Sequence, residues 1–165
     1  MKFKKKIVIQ NKVIEYNKCF IVAEISANHC GKLSTMKSLI LKLKKAGADA
    51  IKIQAYEAST ITIDSKKKDF RIKKNNTWAK YNTLFSLYKT AQTPFSWYPK
   101  IFNFCKKNKI IVFASVFDEK SLSILEKLKC PAYKIASPEI TDIPLISSVS
   151  KTKKPIIIYS TQKLI

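Results

Sequence analysis

Two lysines in the sequence lie inside short apolar segments, where a positive charge is difficult to accommodate. Lys52 stands between two isoleucines, and Lys134 precedes another. An ammonium group that is buried without a partner costs several kcal/mol, so each lysine requires a negative group nearby. Three arrangements satisfy this requirement: an ion pair with Glu24 or Glu139, a Schiff-base lysine whose pKa is lowered by burial, or two cations that hold a phosphate and a carboxylate.

Hydroxyl and carboxylate side chains follow the same apolar segments. Ser115 and Ser137 offer hydroxyl groups, and a phosphate group requires several donors at once. Glu24 and Glu139 stand where a carboxylate serves as a general acid or base, or as the partner of a lysine. Two lysines together with two hydroxyls favour the third arrangement, a site for a phosphate and a carboxylate.

Histidine and cysteine do not form a metal-binding pattern. His29 is the only histidine, and the four cysteines, at positions 19, 30, 105 and 130, contain no CxxC pair. No metal site is therefore expected in this chain. His29 is expected to be either a hydrogen-bonded loop residue or a functional one. The cysteines are expected to be reduced thiols, with Cys19 and Cys105 in apolar surroundings.

Short apolar runs alternate with amphipathic segments along the chain. The runs predict buried strands at residues 20–23, 50–54, 110–114, 132–136 and 155–158. Such an alternation is typical of right-handed βαβ units, which build a parallel sheet with both faces covered. The fold class is therefore α/β.

Helices are predicted between these strands. One has Ser34 as its N-cap and stops at Gly47, a second is capped by Asp118, and a third lies near residues 143–151. The interval between the second and third strands is unusually long. It holds an amphipathic aromatic stretch at residues 78–88 and a further helix after it.

A barrel is favoured over a doubly wound sheet. Each apolar strand ends in a polar side chain, and a barrel brings all such ends to one mouth. The chain has only two glycines and no phosphate-binding glycine motif. A complete (β/α)8 TIM barrel has eight strands and about 250 residues. Residues 1–165 are therefore expected to form its N-terminal part, about five βα units, preceded by a short capping β-hairpin within residues 1–18.

The formal net charge of +21 raises the question of a nucleic-acid partner. Of the 32 basic residues only Arg71 is an arginine, whereas recognition by forked donors favours arginine. The lysines are spread along the chain, so solvated surfaces are favoured.

No apolar run approaches the roughly 18 residues of a membrane span, and the basic start lacks the apolar region of a signal peptide. We therefore expect a cytoplasmic protein without a nucleic-acid or membrane partner.

Four motifs give the chain a resemblance to the sialic acid synthase family. They occur in the family's order and at its spacing, over roughly residues 19–158. They are Ala23-Glu24-Ile25-Ser26-Ala27-Asn28-His29-Cys30-Gly31, Lys52-Ile53-Gln54, Phe113-Ala114-Ser115-Val116-Phe117-Asp118 and Tyr133-Lys134-Ile135-Ala136-Ser137. Further segments, among them Thr93-Pro94-Phe95-Ser96-Trp97, are most similar to the family's pseudaminic acid synthase branch.

The resemblance implies an activity and an architecture. It implies a homodimeric enzyme in which the TIM barrel is followed by a small antifreeze-like domain. It also implies condensation of phosphoenolpyruvate with an N-acetylated amino-sugar aldehyde to a nonulosonic acid, with release of phosphate, for cell-surface glycans. A divalent metal, manganese or magnesium, is implied as well. Its histidine ligands, the second half of the barrel and the antifreeze-like domain are expected beyond residue 165, so the chain alone is expected to be incomplete and inactive.

The resemblance also implies roles for individual side chains. Phosphoenolpyruvate binding is implied for Lys52, Ser115, Lys134 and Ser137. Contact with the sugar is implied for Gln54 and Glu139, and a proton-transfer or electrostatic role at the reaction centre for Glu24. Asn28 and His29 are expected at the barrel mouth without an assigned role.

The chain departs from the family pattern in a few places. Ser115 replaces the usual threonine but keeps the hydroxyl, and Val116 stands where proline is common. The usual glycine is missing near Gln162. Two other function classes also remain open: a Schiff-base aldolase on a TIM barrel and a non-catalytic basic module that binds nucleic acid.

Overall fold

The computed structural model describes residues 6–15 and 17–159, and the first element in it is a β-hairpin. Strand β1 (Lys6–Ile9) pairs antiparallel with β2 (Lys12–Glu15). Ile9 is buried in the main core, and the Lys12 ammonium forms an ion pair with Asp49. The predicted hairpin is therefore confirmed, and it packs at the end of the sheet where the strands begin.

The centre of the molecule is a five-stranded parallel sheet. Each strand pairs with the next one along the chain, which is the order of a barrel wall. The strands are β3 (Val22–Glu24), β4 (Ala50–Ala55), β5 (Ile111–Val116), β6 (Tyr133–Ile135) and β7 (Ile156–Ile158). The predicted half of a (β/α)8 barrel, with five strands, is confirmed.

Helices cover the outside of the sheet. The α-helices are α1 (Leu33–Lys45), α2 (Ala58–Ile61), α3 (Leu84–Ala91), α4 (Tyr98–Lys107), α5 (Glu119–Lys127) and α6 (Ile143–Lys151). Short 3-10 helices occur at Lys68–Phe70, Ala79–Tyr81, Phe95–Trp97 and Ser137–Thr141. None of the helices in the described part of the chain is long and apolar enough to cross a membrane.

The main core lies between the sheet and these helices. In β4, Ile51, Ile53 and Ala55 are fully buried, and Met36 and Ile40 of α1 belong to the same core cluster. Since successive side chains of a strand point to opposite faces, the intervening Lys52 and Gln54 point to the inner face of the half-barrel. The apolar outer face therefore determines which polar side chains reach the inside.

The expected N-cap of the first helix is wrong. Ser34 lies within α1, and the capping position belongs to Lys32, whose side chain makes no capping hydrogen bond. The helix begins earlier because it continues directly from the tight turn of residues 26–31, where Lys32 N–H donates to the carbonyl of His29. Leu33 then packs against the core. Gly47 follows the helix with a left-handed φ of 98°, as its predicted role as a stop requires.

The aromatic stretch at residues 78–88 is not one continuous helix. It contains a 3-10 turn at Ala79–Tyr81, and Asn82 then has a φ of 60°. Helix α3 starts afresh after Thr83, whose hydroxyl accepts a hydrogen bond from Ser86 N–H at 3.2 Å. The Thr83 cap therefore starts a new helix at this point, although the aromatic spacing alone suggested a single element.

The four cysteines are free thiols, as expected. Cys105 and Cys130 are buried, and burial raises the pKa of each to about 12. The expectation of apolar surroundings is wrong for Cys19, which is exposed. Cys19 precedes the first barrel strand, which starts at Val22 rather than at the predicted Phe20.

Asp118 provides a test of how the helices are positioned. Its carboxylate accepts hydrogen bonds from Ser121 N–H at 2.6 Å and from Thr60 Oγ1 at 2.8 Å. Replacement of Asp118 by alanine should lower the free energy of unfolding by about 1–2 kcal/mol, because the cap of α5 and its link to α2 are lost. Urea unfolding monitored by circular dichroism measures this change. Asp118→Asn, which keeps an acceptor oxygen, should lose clearly less, and equal losses would contradict the capping role.

Candidate functional site

The strand register brings the predicted polar side chains into two neighbouring rows on the inner face. In the first row Glu24 of β3 lies beside Lys52 of β4. In the second, Gln54 of β4 lies beside Ser115 of β5, which in turn lies beside Lys134 of β6. Laterally paired residues of a parallel sheet point to the same face. Residues that are up to 110 positions apart thus converge where the strands end.

The ammonium group of Lys52 is the centre of this arrangement. It forms an ion pair with the Glu24 carboxylate and donates a hydrogen bond to Ser115 Oγ at 3.2 Å. The Lys52 side chain is 14% exposed, whereas that of Glu24 is 36% exposed. A buried cation thus has one charged and one neutral partner, while the Glu24 carboxylate remains open toward the inside of the half-barrel.

Burial, together with the positive charge of Lys134, lowers the pKa of Lys52 to about 8. Contact with the Glu24 carboxylate acts in the opposite sense, since an opposite charge favours the ammonium form. An additional anion bound between the two lysines would raise the pKa again. The negative charge within the site therefore does not fully offset the positive charges of Lys52 and Lys134.

Glu24 is held in place by the turn that follows its strand. Ser26 N–H donates a hydrogen bond to Glu24 Oε1 at 3.1 Å, and Ser26 adopts a left-handed φ of 50°. The turn therefore orients the carboxylate toward Lys52 and leaves part of its surface accessible.

Lys134 has an aromatic neighbour that the sequence alone did not point out. Its ammonium lies 6.0 Å from the centre of the Tyr159 ring. Ile157 of β7 is the lateral partner of Lys134, so Tyr159, two residues later, falls on the same face. The alternation of side chains along the last strand could have predicted that Tyr159 faces Lys134, but the predicted strand ended at residue 158.

Ser137 and Glu139 lie in the 3-10 helix that follows β6. In the described part of the chain, Oε2 of Glu139 is buried without a hydrogen-bond partner. Burial raises the pKa of this carboxyl group, and the charge of Lys134 opposes that shift. An acceptor buried beside the mouth without a donor is suited to a hydroxyl or amide group of a ligand.

Gln54 is half-buried next to an aromatic wall. The backbone carbonyl of Gln54 accepts a hydrogen bond from the Tyr98 hydroxyl at 3.0 Å. After the strand ends, the Tyr56 ring packs edge-to-face against Phe117 and Tyr88, with ring centres 5.5 Å and 6.1 Å away. The main chain around Gln54 is thereby fixed, and its amide remains available on the inner face.

The structure separates the two residues of the first motif that had no assigned role. Asn28 is exposed in the turn, whereas His29 is 1% exposed. Gly31 N–H donates to His29 Nδ1 at 3.0 Å, and His29 Nε2 lies 3.3 Å from Thr93 Oγ1. The imidazole also packs against Trp97, and burial lowers its pKa. His29 thus joins the turn to the segment before α4, and its nitrogens are directed away from the inner face.

The described side chains do not fit a metal ion. Within residues 6–15 and 17–159, no group of three or more histidine, cysteine, aspartate or glutamate side chains is arranged to hold one. Both ring nitrogens of His29 already face protein partners. The cationic pair formed by Lys52 and Lys134 instead favours an anionic ligand. The site can therefore bind a substrate with two anionic groups and hold a carboxylate, Glu24, next to it.

Comparison with known proteins relates this site to a family of sugar-acid synthases. Residues 39–162 match the model of the NeuB family. The chain is 43% identical to the pseudaminic acid synthase of Helicobacter pylori over 140 residues, which is 85% of this chain and 41% of that protein. It is also 43% identical to a pseudaminic acid synthase of Campylobacter jejuni, over 86% of this chain and 40% of that protein. The chain spans about two fifths of the length of these relatives.

A solved structure agrees with the same assignment. The N-acetylneuraminic acid (sialic acid) synthetase of Leptospira borgpetersenii, in complex with citrate, superposes with a TM-score of 0.80 at 26% sequence identity. The superposition covers 96% of this chain and 51% of the synthetase chain. The half-barrel is thus the common part of the two proteins.

The repulsion between the two lysines can be measured. Replacement of Lys134 by glutamine removes a positive charge near Lys52 and should therefore raise the pKa of Lys52 from about 8 toward its ordinary value. Reductive methylation with 13C-formaldehyde, followed by NMR titration, reports this pKa. Lys153→Gln removes the same charge from an exposed turn before β7 and should leave it unchanged. An unchanged pKa in Lys134→Gln would contradict the proposed proximity.

Proposed function

We propose that this chain, which belongs to the NeuB family, supplies the phosphoenolpyruvate-binding half of a pseudaminic acid synthase-like enzyme. The enzyme would condense phosphoenolpyruvate with an N-acetylated amino-sugar aldehyde and release phosphate, for the synthesis of a cell-surface nonulosonic acid. The observation that carries the proposal is the buried Lys52 ammonium, bonded to Ser115 and held close to Lys134.

Phosphoenolpyruvate matches the charge of this site. It carries a phosphate ester and a carboxylate on the same carbon, and the half-barrel offers two cations, on β4 and β6, which flank β5. In the proposal Lys52 and Lys134 neutralise the two anionic groups, while Ser115 and Ser137 supply hydroxyl donors. Binding of the anions relieves the repulsion between the lysines, which adds to burial in lowering the pKa of Lys52 in the free site.

The remaining polar side chains suit the second substrate. Oε2 of Glu139, which has no hydrogen-bond partner among the described residues, can accept a hydrogen bond from a sugar hydroxyl or amide, and the Gln54 amide can donate or accept one. We assign both to the amino sugar. Asn28, exposed in the turn after β3, is near enough to the strand ends to border the mouth. His29 is assigned a structural role there, because its ring is buried against Thr93 and Trp97.

The reaction explains why a carboxylate stands next to a buried cation. A bond forms between C3 of phosphoenolpyruvate and the aldehyde carbon while the π bond of the aldehyde breaks, and the aldehyde oxygen takes up a proton from solvent. Positive charge develops at C2, water adds there, and the tetrahedral intermediate expels phosphate. In the proposal, Glu24 stabilises the transient cation or accepts the proton of the water, while Lys52 and Lys134 hold the phosphate as it leaves.

A divalent metal, manganese or magnesium, is part of the proposal for the complete enzyme. Its role would be to polarise the aldehyde oxygen or activate the water. The described residues do not provide its ligands, so we assign these to parts of the enzyme outside this sequence, together with the remaining barrel strands and an antifreeze-like domain. A homodimer is proposed for that complete enzyme. A cytoplasmic location is also proposed, where exposed thiols such as those of Cys19 and Cys30 stay reduced.

Binding measurements test the proposal directly. Lys52→Gln and Lys134→Gln should each weaken phosphoenolpyruvate binding by about 10- to 100-fold, because each removes one charge-assisted contact to an anionic group. Isothermal titration of the 165-residue chain with phosphoenolpyruvate measures the effect. Lys12→Gln, in the hairpin, provides the control and should bind like the unmodified chain.

Two outcomes would count against a phosphoenolpyruvate site. One is equal affinity for phosphoenolpyruvate, inorganic phosphate and pyruvate, since only the first presents both anionic groups together. The other is a covalent adduct of Lys52 or Lys134 after treatment with pyruvate and borohydride. Such an adduct would favour the Schiff-base aldolase instead.

The pH dependence of binding follows from the pKa of Lys52. Since this pKa is about 8 in the free site, the ammonium form predominates below pH 8, is half populated near pH 8 and is lost as the pH rises further. Phosphoenolpyruvate affinity should therefore fall above about pH 8, by up to tenfold per pH unit. Lys52→Arg stays charged throughout this range and should show a flat profile between pH 7 and about pH 9.5. A pH-independent affinity in the unmodified chain would rule out Lys52 as an anion-binding group.

A further inference from the structure

The charged residues are distributed unequally along the barrel axis. Of the eleven acidic residues in the sequence, eight lie on the side where the strands end. One closes β3, three lie in the long connection after β4, two follow β5 and two follow β6. The side where the strands begin thus contains few carboxylates, although it contains much of the positive charge.

The lysines on that side occupy the four turns that lead into β4, β5, β6 and β7. Three lie in residues 42–45, three in 106–109, two in 127–129 and three in 151–154. Because the strands are parallel, these helix ends and turns all lie at the same end of the barrel. We call this set of eleven lysines the lysine face. Ten of them are exposed, and Lys154 is half-buried.

The few carboxylates near the lysine face are already paired. Asp49 forms an ion pair with Lys12 of the hairpin, and Glu126 forms one with Lys154. Glu15 of the hairpin pairs with Lys6 at 3.1 Å. The exposed lysines of the four turns therefore project a net positive field away from the mouth.

Three members of the lysine face stand in a backbone conformation that disfavours lysine. Lys109, Lys129 and Lys153 have φ values of 53°, 57° and 57°. Each lies in the same place, between a helix and the strand that follows it, where glycine or asparagine would fit with less strain. Lysine is thus present at three equivalent positions despite its conformational cost, and each adds a charge to the same surface.

Exposed aliphatic side chains lie next to the lysine face. The hairpin is joined to the turn before β4 by the pairing of Lys12 with Asp49. On its outer surface Val8 and Val13 are directly opposite each other, 50% and 45% exposed. Ile7 points to the other face, that of the buried Ile9, and is 51% exposed there. Apolar side chains beside many lysines match a lipid surface, where the former enter the headgroup region and the latter attract anionic headgroups.

We propose that the lysine face and the outer surface of the hairpin form a peripheral docking surface for an anionic lipid bilayer. A bilayer is favoured over nucleic acid because the charges are point-like lysines spread over one end of a barrel. The expected absence of a membrane partner rested on the lack of a spanning segment, which a peripheral surface does not require. Docking in this orientation leaves the strand ends directed away from the bilayer.

Vesicle flotation with the 165-residue chain tests the proposal. Vesicles of phosphatidylcholine alone are compared with vesicles that contain about 30% phosphatidylglycerol, at about 0.1 M salt. Flotation separates lipid-bound protein, which rises, from aggregated protein, which sediments. We expect at least about tenfold stronger binding to the anionic vesicles, and loss of this preference at about 1 M salt.

The left-handed backbone conformation of Lys109, Lys129 and Lys153 allows a variant that should not harm folding. The triple variant Lys109→Gly, Lys129→Gly, Lys153→Gly removes three charges and relieves the backbone at all three positions. It should bind anionic vesicles at least about tenfold more weakly. The matched control is the triple variant Lys66→Gln, Lys67→Gln, Lys68→Gln, which removes the same charge from the connection after β4 and should bind within about twofold of the unmodified chain.

The hairpin is tested separately. Val8→Thr with Val13→Thr keeps the strand preference and should weaken vesicle binding several-fold while its salt dependence stays the same. The proposal is overturned if the two triple variants lose binding equally, because net charge alone would then explain it. It is also overturned if the chain binds duplex DNA more tightly than anionic vesicles at equal salt and the glycine variant loses that binding.

Discussion

The ammonium group of Lys52 is the constraint on which the arrangement of the strand ends depends. Its strand is fixed by Ile51 and Ile53, which are fully buried on the outer face and so direct Lys52 to the inner one. Desolvation of a charge there is tolerable only with partners, and β3 and β5 provide them on either side, as Glu24 and Ser115. The apolar packing of one face thus dictates the chemistry of the other.

Much of this arrangement could be predicted from the sequence because it depends on local patterns of apolar and polar residues. The five apolar runs and the polar residue at each strand end are local patterns, and parallel pairing in chain order then brings those ends together. The register itself was not predicted, since Gln54 and Ser115 are the fifth residues of their strands whereas Lys134 is the second residue of β6. The fold and most of the candidate site were therefore accessible without coordinates.

The parts that could not be predicted depend on contacts that are distant in sequence or on competing local signals. Ser34 has the right side chain for an N-cap, but the preceding tight turn starts the helix two residues earlier. Asn82 interrupts the aromatic stretch at residues 78–88 through its left-handed backbone, which aromatic spacing does not reveal. The burial of His29 depends on Thr93 and Trp97, and no local pattern links those residues to the first motif.

The link between His29 and Thr93 also affects the order in which the protein can be assembled on the ribosome. The two residues are 64 positions apart, so the loop after the first barrel strand emerges well before its packing partner has been synthesised. During that interval the imidazole lacks its packing partners, so the turn that orients Glu24 is not yet fixed, even after the Lys52 strand has been synthesised. The first part of the site to be translated therefore becomes fully ordered only after the segment before helix α4 has emerged.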